Sequence, residues 1–229
     1  MVKQTAQRRL CDLVLDYNIY PRNQISDINI NFLFGAIQSE HELPLMVVEK
    51  GSARILDGVH RWKALTRHLG ADATVDVIER ACRDDNEAFL IAIELNSTHG
   101  LHLTPQELTN NVCRAETRGI SLEAVAKAAH VPPSFIQRRL TENTAFARVL
   151  GMPDTRVALK RSMKGFAGME LNEQQVETNR IAGGMSPTYY IHFVQKLIES
   201  GLWEHGSMNE RSALSELFAV MRRVMTDAA

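Results

Sequence analysis

A chain of 229 residues, 45% hydrophobic and 23% charged, has the composition of an ordinary globular protein. Its length suits one large domain or two small ones. No apolar run approaches the roughly 18 residues of a membrane span, and no apolar stretch follows the basic N-terminal residues, so we expect neither membrane association nor a signal peptide. The isolated cysteines Cys11, Cys82 and Cys113 lack metal-ligand spacing, which indicates a cytoplasmic protein with reduced thiols and no metal site.

The charge is unevenly distributed along the chain. The formal net charge of −1 does not by itself favour nucleic-acid binding. Between residues 134 and 164, however, two acidic residues stand against seven basic ones: Arg138, Arg139, Arg148, Arg156, Lys160, Arg161 and Lys164. From residue 170 onwards, eight acidic residues stand against five basic ones. Such asymmetry is typical of a nucleic-acid-binding face, although a solvated helix face gives a similar pattern.

The first 80 residues predict a mixed α/β domain. Apolar residues at helical spacing indicate helices at residues 28–37 and 61–69, and Gly70 ends the second of them. Short apolar runs at 44–48 and 53–56, separated by a Lys-Gly-Ser turn, indicate two strands, and residues 73–78 indicate a third.

The strand pattern ends there. Residues 84–95 are in helical phase, and Thr104, Pro105 and Glu107 form a capping box that opens a helix running to about Arg118. Everything beyond Gly119 predicts helices. The expected organisation is an α/β domain over residues 1–100, an all-α domain over 101–165 and a helical C-terminal region over 166–229, helix-rich α+β overall.

Residues 120–140 carry the most specific local pattern, that of a helix-turn-helix. Ser121 caps a short helix that buries Val125, Ala126 and Ala129, and a turn follows at residues 130–132. Glycine is common at such a turn, and His130, which stands there, tolerates the left-handed conformation better than most residues. An ordinary α-hairpin packed in a bundle is the alternative.

The second helix of this pair would face DNA. Ser134 lies near its start, and Ile136 and Leu140 would be buried. Gln137, Arg138 and Arg139 are expected to project outward, where they can contact base edges and phosphates of double-stranded DNA.

Residues 56–64 carry the second pattern. An apolar strand ends at Asp57, Gly58 forms a turn, and a helix begins at His60 and Arg61. This arrangement brings together a helix N-terminus and two side chains able to carry positive charge, as in a phosphate-binding cradle. A core turn with a solvent-facing histidine and arginine would give the same sequence.

The order of these segments resembles the ParB N-terminal domain, whose superfamily also contains sulfiredoxin and a free-serine kinase. In that family a Pro/Arg segment precedes a helix and a strand that starts with proline. A Gly-Glu-Arg-Arg or Asp-Gly-x-His-Arg box and an Asn-containing box then lead into a helix-turn-helix. The matching segments are residues 20–22, 40–45, 56–64 and 94–105. The resemblance covers about residues 15–140 and implies this fold and a DNA-binding function.

The resemblance also implies roles for single residues. Arg61 matches the phosphate-contacting arginine of the box, and His60 stands where partition proteins have another arginine. Asn96 matches the asparagine that helps hold the phosphates and metal of the nucleotide. Gly58 and His99 complete the expected binding set, whose ligand would be a nucleoside triphosphate, CTP or ATP, with Mg²⁺. Each side chain also has a structural alternative: a surface charge for Arg61, structural histidines for His60 and His99, and a cap for Asn96.

The same box bears on catalysis. Asp57 and Gly58 stand where partition proteins have Gly and Glu, so the carboxylate implied in hydrolysis is missing unless Asp57 replaces it. Asp57 is therefore the candidate catalytic residue, with capping of the turn as its alternative. Val59 stands where sulfiredoxin has its catalytic cysteine, which argues against sulfiredoxin chemistry.

The C-terminal third matches no family that we recognise. Residues 186–198 and 212–225 have the pattern of two amphipathic helices, the second with an apolar stripe of Leu214, Leu217, Phe218, Met221 and Met225. Such a stripe is usually core, and here it also fits a homodimer seam, because DNA-binding regulators often read two half-sites as two-fold dimers.

Three functions remain open from the sequence. The first is a nucleoid-associated transcriptional regulator, or a plasmid or phage partition factor, whose N-terminal domain binds a nucleotide. The second is a small phosphotransfer or nucleotide-hydrolysing enzyme. The third is a DNA-binding module whose α/β half is only a scaffold.

Overall fold

The computed structural model describes residues 4–98, 101–147, 155–180 and 218. Its N-terminal part contains a four-stranded sheet of β1 (Gln4–Arg9), β2 (Met46–Glu49), β3 (Ile55–Asp57) and β4 (Thr74–Arg80) in the order β1-β4-β2-β3. β2 runs parallel to β4, and the other two pairs are antiparallel. The strands β2, β3 and β4 confirm the pattern in the sequence.

Strand β1 has no counterpart in the sequence analysis. Its residues, Gln-Thr-Ala-Gln-Arg-Arg, show no apolar alternation, so periodicity gives no sign of it. All six pair antiparallel with β4, from Gln4 opposite Glu79 to Arg9 opposite Thr74. Pairing with a neighbouring strand, rather than local pattern, therefore holds this edge in extended form.

Two helices flank this sheet. Helix α1 (Asp27–Gln38) is capped by the Ser26 side chain, and helix α2 (Val59–Leu69) starts after Gly58 and ends at Gly70, which has a positive φ of 88°. The α1 helix packs against α2 but contains no buried residue. Its apolar side chains Ile28 and Phe32 remain 84% and 74% exposed.

Four further helices follow: α3 (Asp85–Thr98), α4 (Pro105–Thr117), α5 (Leu122–Ala128) and α6 (Pro133–Asn143). The capping box at the start of α4 forms as the sequence predicts, with Thr104 and Glu107 bonding each other's backbone N–H. One apolar cluster joins these helices to the sheet, through Leu56 of β3, Phe89 of α3, Val112 of α4 and Ile136 of α6.

Residues after α6 correct the expectation of an all-α domain. Strands β5 (Thr144–Ala147), β6 (Thr155–Ala158) and β7 (Glu170–Leu171) form a second sheet in the order β6-β5-β7. These strands have two to four residues and contain much Ala and Thr, which is too short and too neutral in propensity for an alternation to show. The helix-rich α+β class itself is confirmed.

The described residues up to Glu173 belong to one compact unit, and residues from Gln174 onwards belong to another. Residues on both sides of the boundary expected near residue 100 therefore belong to the same compact unit. The proposed division into domains stays a prediction. Helix α7 (Glu173–Arg180) spans the start of the second unit. Apart from the exposed Phe218, the predicted C-terminal helices and their dimer seam lie outside the described residues.

In the part of the chain that is described, every helix is too short or too polar to cross a membrane.

Candidate functional site

An open cavity of about 1510 Å³ lies beside the N-terminus of α2. Its walls come from the sheet, α1, α2 and α3, and it brings together most of the residues that the sequence assigns to phosphate binding. Of that set, Asp57, Gly58, His60, Arg61 and Asn96 all line the cavity. The predicted contact of His99 lies outside the described residues.

Gly58 forms the corner between β3 and α2. Its φ of 101° is in the left-handed region that favours glycine. A Cβ atom at this position would lie 2.9 Å from Cγ of Met46 and 3.0 Å from Nη2 of Arg61. Both the backbone conformation and the crowding therefore require glycine. The first residues of α2, whose backbone N–H groups have no partner within the helix, line the cavity.

The Arg61 guanidinium clamps this corner. Its Nη1 donates to the carbonyl oxygens of Pro44 at 2.6 Å and Leu45 at 2.9 Å, and its Nη2 donates to the carboxylate of Asp57. The side chain is only 13% exposed although it lines the cavity. Two of its nitrogens thus already have hydrogen-bond partners, and the same guanidinium forms an ion pair with the Asp57 carboxylate.

His60 has a different role from that of a cation. Its Nε2 accepts a hydrogen bond from the backbone N–H of Ser26 at 3.0 Å, so this nitrogen carries no proton in the bonded state. Burial, and then the positive charge of Arg22, lower the pKa of His60 below its ordinary value. The ring therefore connects the start of α2 to the cap of α1 as a neutral imidazole.

Arg22 is a second buried guanidinium in the cavity wall, and the sequence analysis assigned it no role of its own. Its Nε donates to Oδ1 of Asn96 at 3.1 Å, and its other nitrogens donate to the carbonyls of Leu101 and His102. Oε2 of Glu107 lies 4.0 Å from Nη1 of Arg22. Arg22 therefore connects α3 to the segment that precedes α4. In the sequence, the position of Arg22 in the Tyr-Pro-Arg segment could have indicated that it belongs to the site.

Asn96 is held in one orientation. Its Oδ1 accepts from Arg22, and its Nδ2 donates to the carbonyl of Ala92 at 2.9 Å. The residue is 5% exposed, so the amide is fixed at the edge of the cavity rather than free at the end of a helix.

Tyr20 also lines the cavity and was not singled out from the sequence. The residue is 4% exposed, and its hydroxyl is buried without a hydrogen-bond partner among the described residues. Burial raises the pKa of this hydroxyl to about 12, so it keeps its proton at neutral pH. A protonated hydroxyl without a partner among the described residues therefore lies buried in a residue of the cavity wall.

The helices α5 and α6 form the tight pair that the sequence predicts. His130, in the turn, has a φ of 56°, and the N–H of Val131 bonds the carbonyl of Ala126 at 3.0 Å. Val125 and Ala126 of α5 and Ile136 of α6 are buried in the shared core.

Helix α6 leaves one side open to solvent. Ser134, Gln137 and Arg138 are exposed, and Arg138 meets no acidic side chain among the described residues. Its guanidinium lies 5.7 Å from the ring centre of Phe135. Three of the four residues assigned to DNA contact thus share an accessible side of α6.

Arg139 does not project outward as expected. It is half-buried, and it donates to the carbonyl of Pro105 at 2.8 Å and to Oγ1 of Thr109 at 3.0 and 2.9 Å. Because position 139 follows position 138 by about 100° around the helix, it faces α4 rather than solvent. Arg156, from the same basic stretch, is likewise paired with Glu116 at 2.9 Å.

Comparison with solved structures finds ParB proteins. The C-terminally truncated chromosome-partitioning protein ParB from Caulobacter crescentus complexed to the centromeric parS site is 18% identical, with a TM-score of 0.42 over 92% of this chain and 98% of that chain. The same protein complexed with CTP-gamma-S is 21% identical, with a TM-score of 0.36 over 60% and 78%. A Pnob8-like ParB-N domain gives a TM-score of 0.40 at 12% identity over 69% and 57%.

Comparison with curated proteins finds the transcriptional regulator NovG of Streptomyces niveus, 37% identical over 71 residues. The match covers 31% of this chain and spans about a fifth (21%) of NovG. No protein-family model matches the chain. The chain is thus similar to ParB proteins among the solved structures and, over 71 residues, to a transcriptional regulator.

Proposed function

We propose that this chain is a DNA-binding regulator of the ParB-like class whose α2 cavity binds a nucleoside triphosphate. The supporting observation is the position of α3. Ile91 of α3 lines the cavity and also belongs to the apolar cluster that contains Val125 of α5 and Ile136 of α6. A ligand in the cavity and DNA on α6 would therefore act on the same packed core. The local similarity to a transcriptional regulator supports a regulatory role.

The cavity suits a phosphate-bearing ligand. The N-terminus of an α-helix carries a partial positive charge, and Gly58 and the first residues of α2, Val59, His60 and Arg61, line the cavity. The volume of about 1510 Å³ exceeds the usual 300–1,000 Å³ of ligand sites and leaves room for base, sugar and phosphates.

Among the described residues at the corner of the cavity, few side-chain oxygens are free to bind a magnesium ion. The side-chain oxygens nearest to hand, those of Asp57 and Asn96, already accept hydrogen bonds from Arg61 and Arg22. Mg²⁺ commonly keeps several water ligands and takes the rest from substrate phosphates. It would therefore enter with the nucleotide, with Asp57 or Asn96 as its protein contact after release from the arginine.

Nucleotide binding can be tested at the mouth of the cavity. Phe32 lines it from α1, whereas Ile28 of the same helix does not, and both are exposed. Phe32→Glu should weaken binding of CTP or ATP with Mg²⁺, because it places a negative charge beside the triphosphate, and Ile28→Glu should not. For the wild type, nucleotide at 100 times its dissociation constant should add about 2.7 kcal/mol to the free energy of unfolding. No stabilisation by either nucleotide would reject this part of the proposal.

DNA binding is proposed for the exposed side of α6. Gln137 and Arg138 have the side chains that read base edges and contact phosphates, and Ser134 stands in the first turn, where such helices approach the groove. A two-fold dimer would present two such helices to two half-sites. We propose that the protein works as a cytoplasmic, nucleoid-associated homodimer.

Fluorescence anisotropy with labelled duplex DNA tests this assignment. Affinity should fall steeply with salt, and Arg138→Ala should weaken binding and reduce the salt slope by about one. Arg9→Ala is the matched control, because Arg9 is an exposed arginine of β1 paired with Asp12. Equal losses from both variants would mean a general charge effect and would contradict a specific role of α6.

A further inference from the structure

We infer that the Tyr20 hydroxyl is a phosphate-contacting donor of the α2 cavity, an inference that rests on the proposed nucleotide binding. Buried polar groups in proteins almost always have a hydrogen-bond partner, so an orphaned hydroxyl at a cavity wall needs explanation. Tyr20 is such a group among the described residues, and the residue lines the cavity.

The Tyr20 ring is fixed at the strand-to-helix corner. It belongs to the apolar cluster that contains Met46, which crowds Gly58, and Val59, the first residue of α2. The ring therefore packs in the same cluster as the first residue of α2, whose N-terminus favours an anion.

The backbone around Tyr20 is also held firmly. Its carbonyl accepts from Nη1 of Arg114 at 2.7 Å, and the following carbonyl, that of Pro21, accepts from Nδ2 of Asn111 at 2.8 Å. Both donors lie on α4. Both contacts fix the main chain at Tyr20. The hydroxyl oxygen itself is buried, so a ligand has to displace part of the cavity wall to reach it.

The chemistry of the hydroxyl selects the kind of acceptor. With its pKa raised by burial to about 12, the phenol stays protonated and can donate at any physiological pH. Phosphate oxygens carry negative charge and accept such bonds strongly. Arg22 and Arg61 already donate to protein oxygens, whereas the phenol has no partner among the described residues, so a bond to phosphate would satisfy it.

Tyr20→Phe tests the inference, because it removes only the hydroxyl and keeps the packed ring. Titration calorimetry with CTP and with inorganic tripolyphosphate should show about tenfold weaker binding of both, equal to about 1.4 kcal/mol. Thermal unfolding without ligand should be unchanged or slightly higher, since an unsatisfied buried group is lost. Tyr17→Phe is the matched control: its ring lies edge-on to Tyr20 at 6.2 Å, but the residue is 67% exposed and does not line the cavity.

Three results would overturn the inference, and they are distinguishable. Wild-type affinity in Tyr20→Phe would show that the hydroxyl makes no ligand contact. Loss of CTP affinity with unchanged tripolyphosphate affinity would place the contact on base or sugar instead of phosphate. Failure of the wild type to bind either probe would reject the proposed nucleotide function together with the inference.

Discussion

The arginines of the cavity are committed to the fold before any ligand is bound. Arg61 holds the carbonyls of Pro44 and Leu45, and Arg22 holds those of Leu101 and His102. A triphosphate that contacts either guanidinium must compete with these main-chain oxygens. Arg61, the arginine predicted from the sequence to contact phosphate, therefore also maintains the structure of the site, as Arg22 does, so alanine variants of either would mix stability with binding.

The pH dependence of the free energy of unfolding shows whether the His60 imidazole is neutral or positively charged in the folded chain. Its pKa is lower in the folded chain than its ordinary value of about 6.5, so unfolding takes up a proton. The contribution of His60 to the free energy of unfolding is complete above the ordinary pKa of about 6.5. It falls as the pH drops from there towards the lowered pKa, by at most about 1.36 kcal/mol per pH unit. Urea unfolding of wild type and His60→Gln should show this loss in the wild type alone.

His68→Gln controls for the loss of a histidine, because His68 is exposed on the same helix. The wild-type pH dependence should persist in it. A folded state that becomes more stable on acidification, with the effect lost in His60→Gln, would mean that His60 is a cation in the fold and would contradict its role as an acceptor.

Gly58 should tolerate no side chain. Gly58→Ala combines a positive φ with contacts near 3 Å and is expected to lower the free energy of unfolding by about 1–3 kcal/mol. Gly35→Ala is the control, since Gly35 lies inside α1 with no atom within 4 Å of a Cβ and should gain about 0.5–1 kcal/mol from helix propensity. Chemical denaturation measures both, and similar effects of the two changes would refute the requirement at the corner.

At the scale of elements, adjacent arginines of α6 have separate tasks. Arg138 is exposed, whereas Arg139 donates to Pro105 and Thr109 of α4. Arg139→Ala should therefore lower the free energy of unfolding by about 1–3 kcal/mol, and Arg138→Ala should change it by less than about 0.5 kcal/mol. Urea unfolding of the two variants checks this. If Arg138→Ala proved the more destabilising variant, α6 would have to present Arg138 to α4 and Arg139 to solvent.

The sequence was sufficient where elements are long or have distinct ends. The capping box of α4, the Gly58 corner and the His130 turn all formed as expected, because each depends on local backbone chemistry. Strand β1 and the second sheet were missed, since their strands depend on pairing between distant segments and have little pattern of their own.

The site was predictable in its location but not in its contacts. The strand-Gly-helix pattern located the cavity corner, because it follows from local geometry. The use of Arg61 and Arg139 within the fold could not be read from their neighbours, since their partners Pro44 and Thr109 lie 17 and 30 residues away. The interest of Tyr20 depends on a hydroxyl without a partner among the described residues, which only three-dimensional packing reveals.

In the molecule as a whole, helix α3 connects the cavity to the pair of helices α5 and α6. This helix carries Asn96 at the cavity and packs against α5, so the cavity and the helix pair share one core. Packed cores shift between discrete arrangements rather than deform continuously, which is how a ligand at one site alters another. Any such coupling must be reciprocal: if the nucleotide changes the affinity for DNA, DNA changes the affinity for the nucleotide by the same factor.

The most direct test is the DNA affinity of the full chain, measured by anisotropy with and without CTP and Mg²⁺ at fixed salt. The account predicts salt-sensitive binding that Arg138→Ala weakens, and a change of at least about fivefold in wild-type affinity when the nucleotide is added. In Phe32→Glu that nucleotide effect should be reduced while binding without nucleotide is retained. Absence of DNA binding, or binding that is the same with and without nucleotide in every variant, would contradict the proposed link between cavity and helix pair.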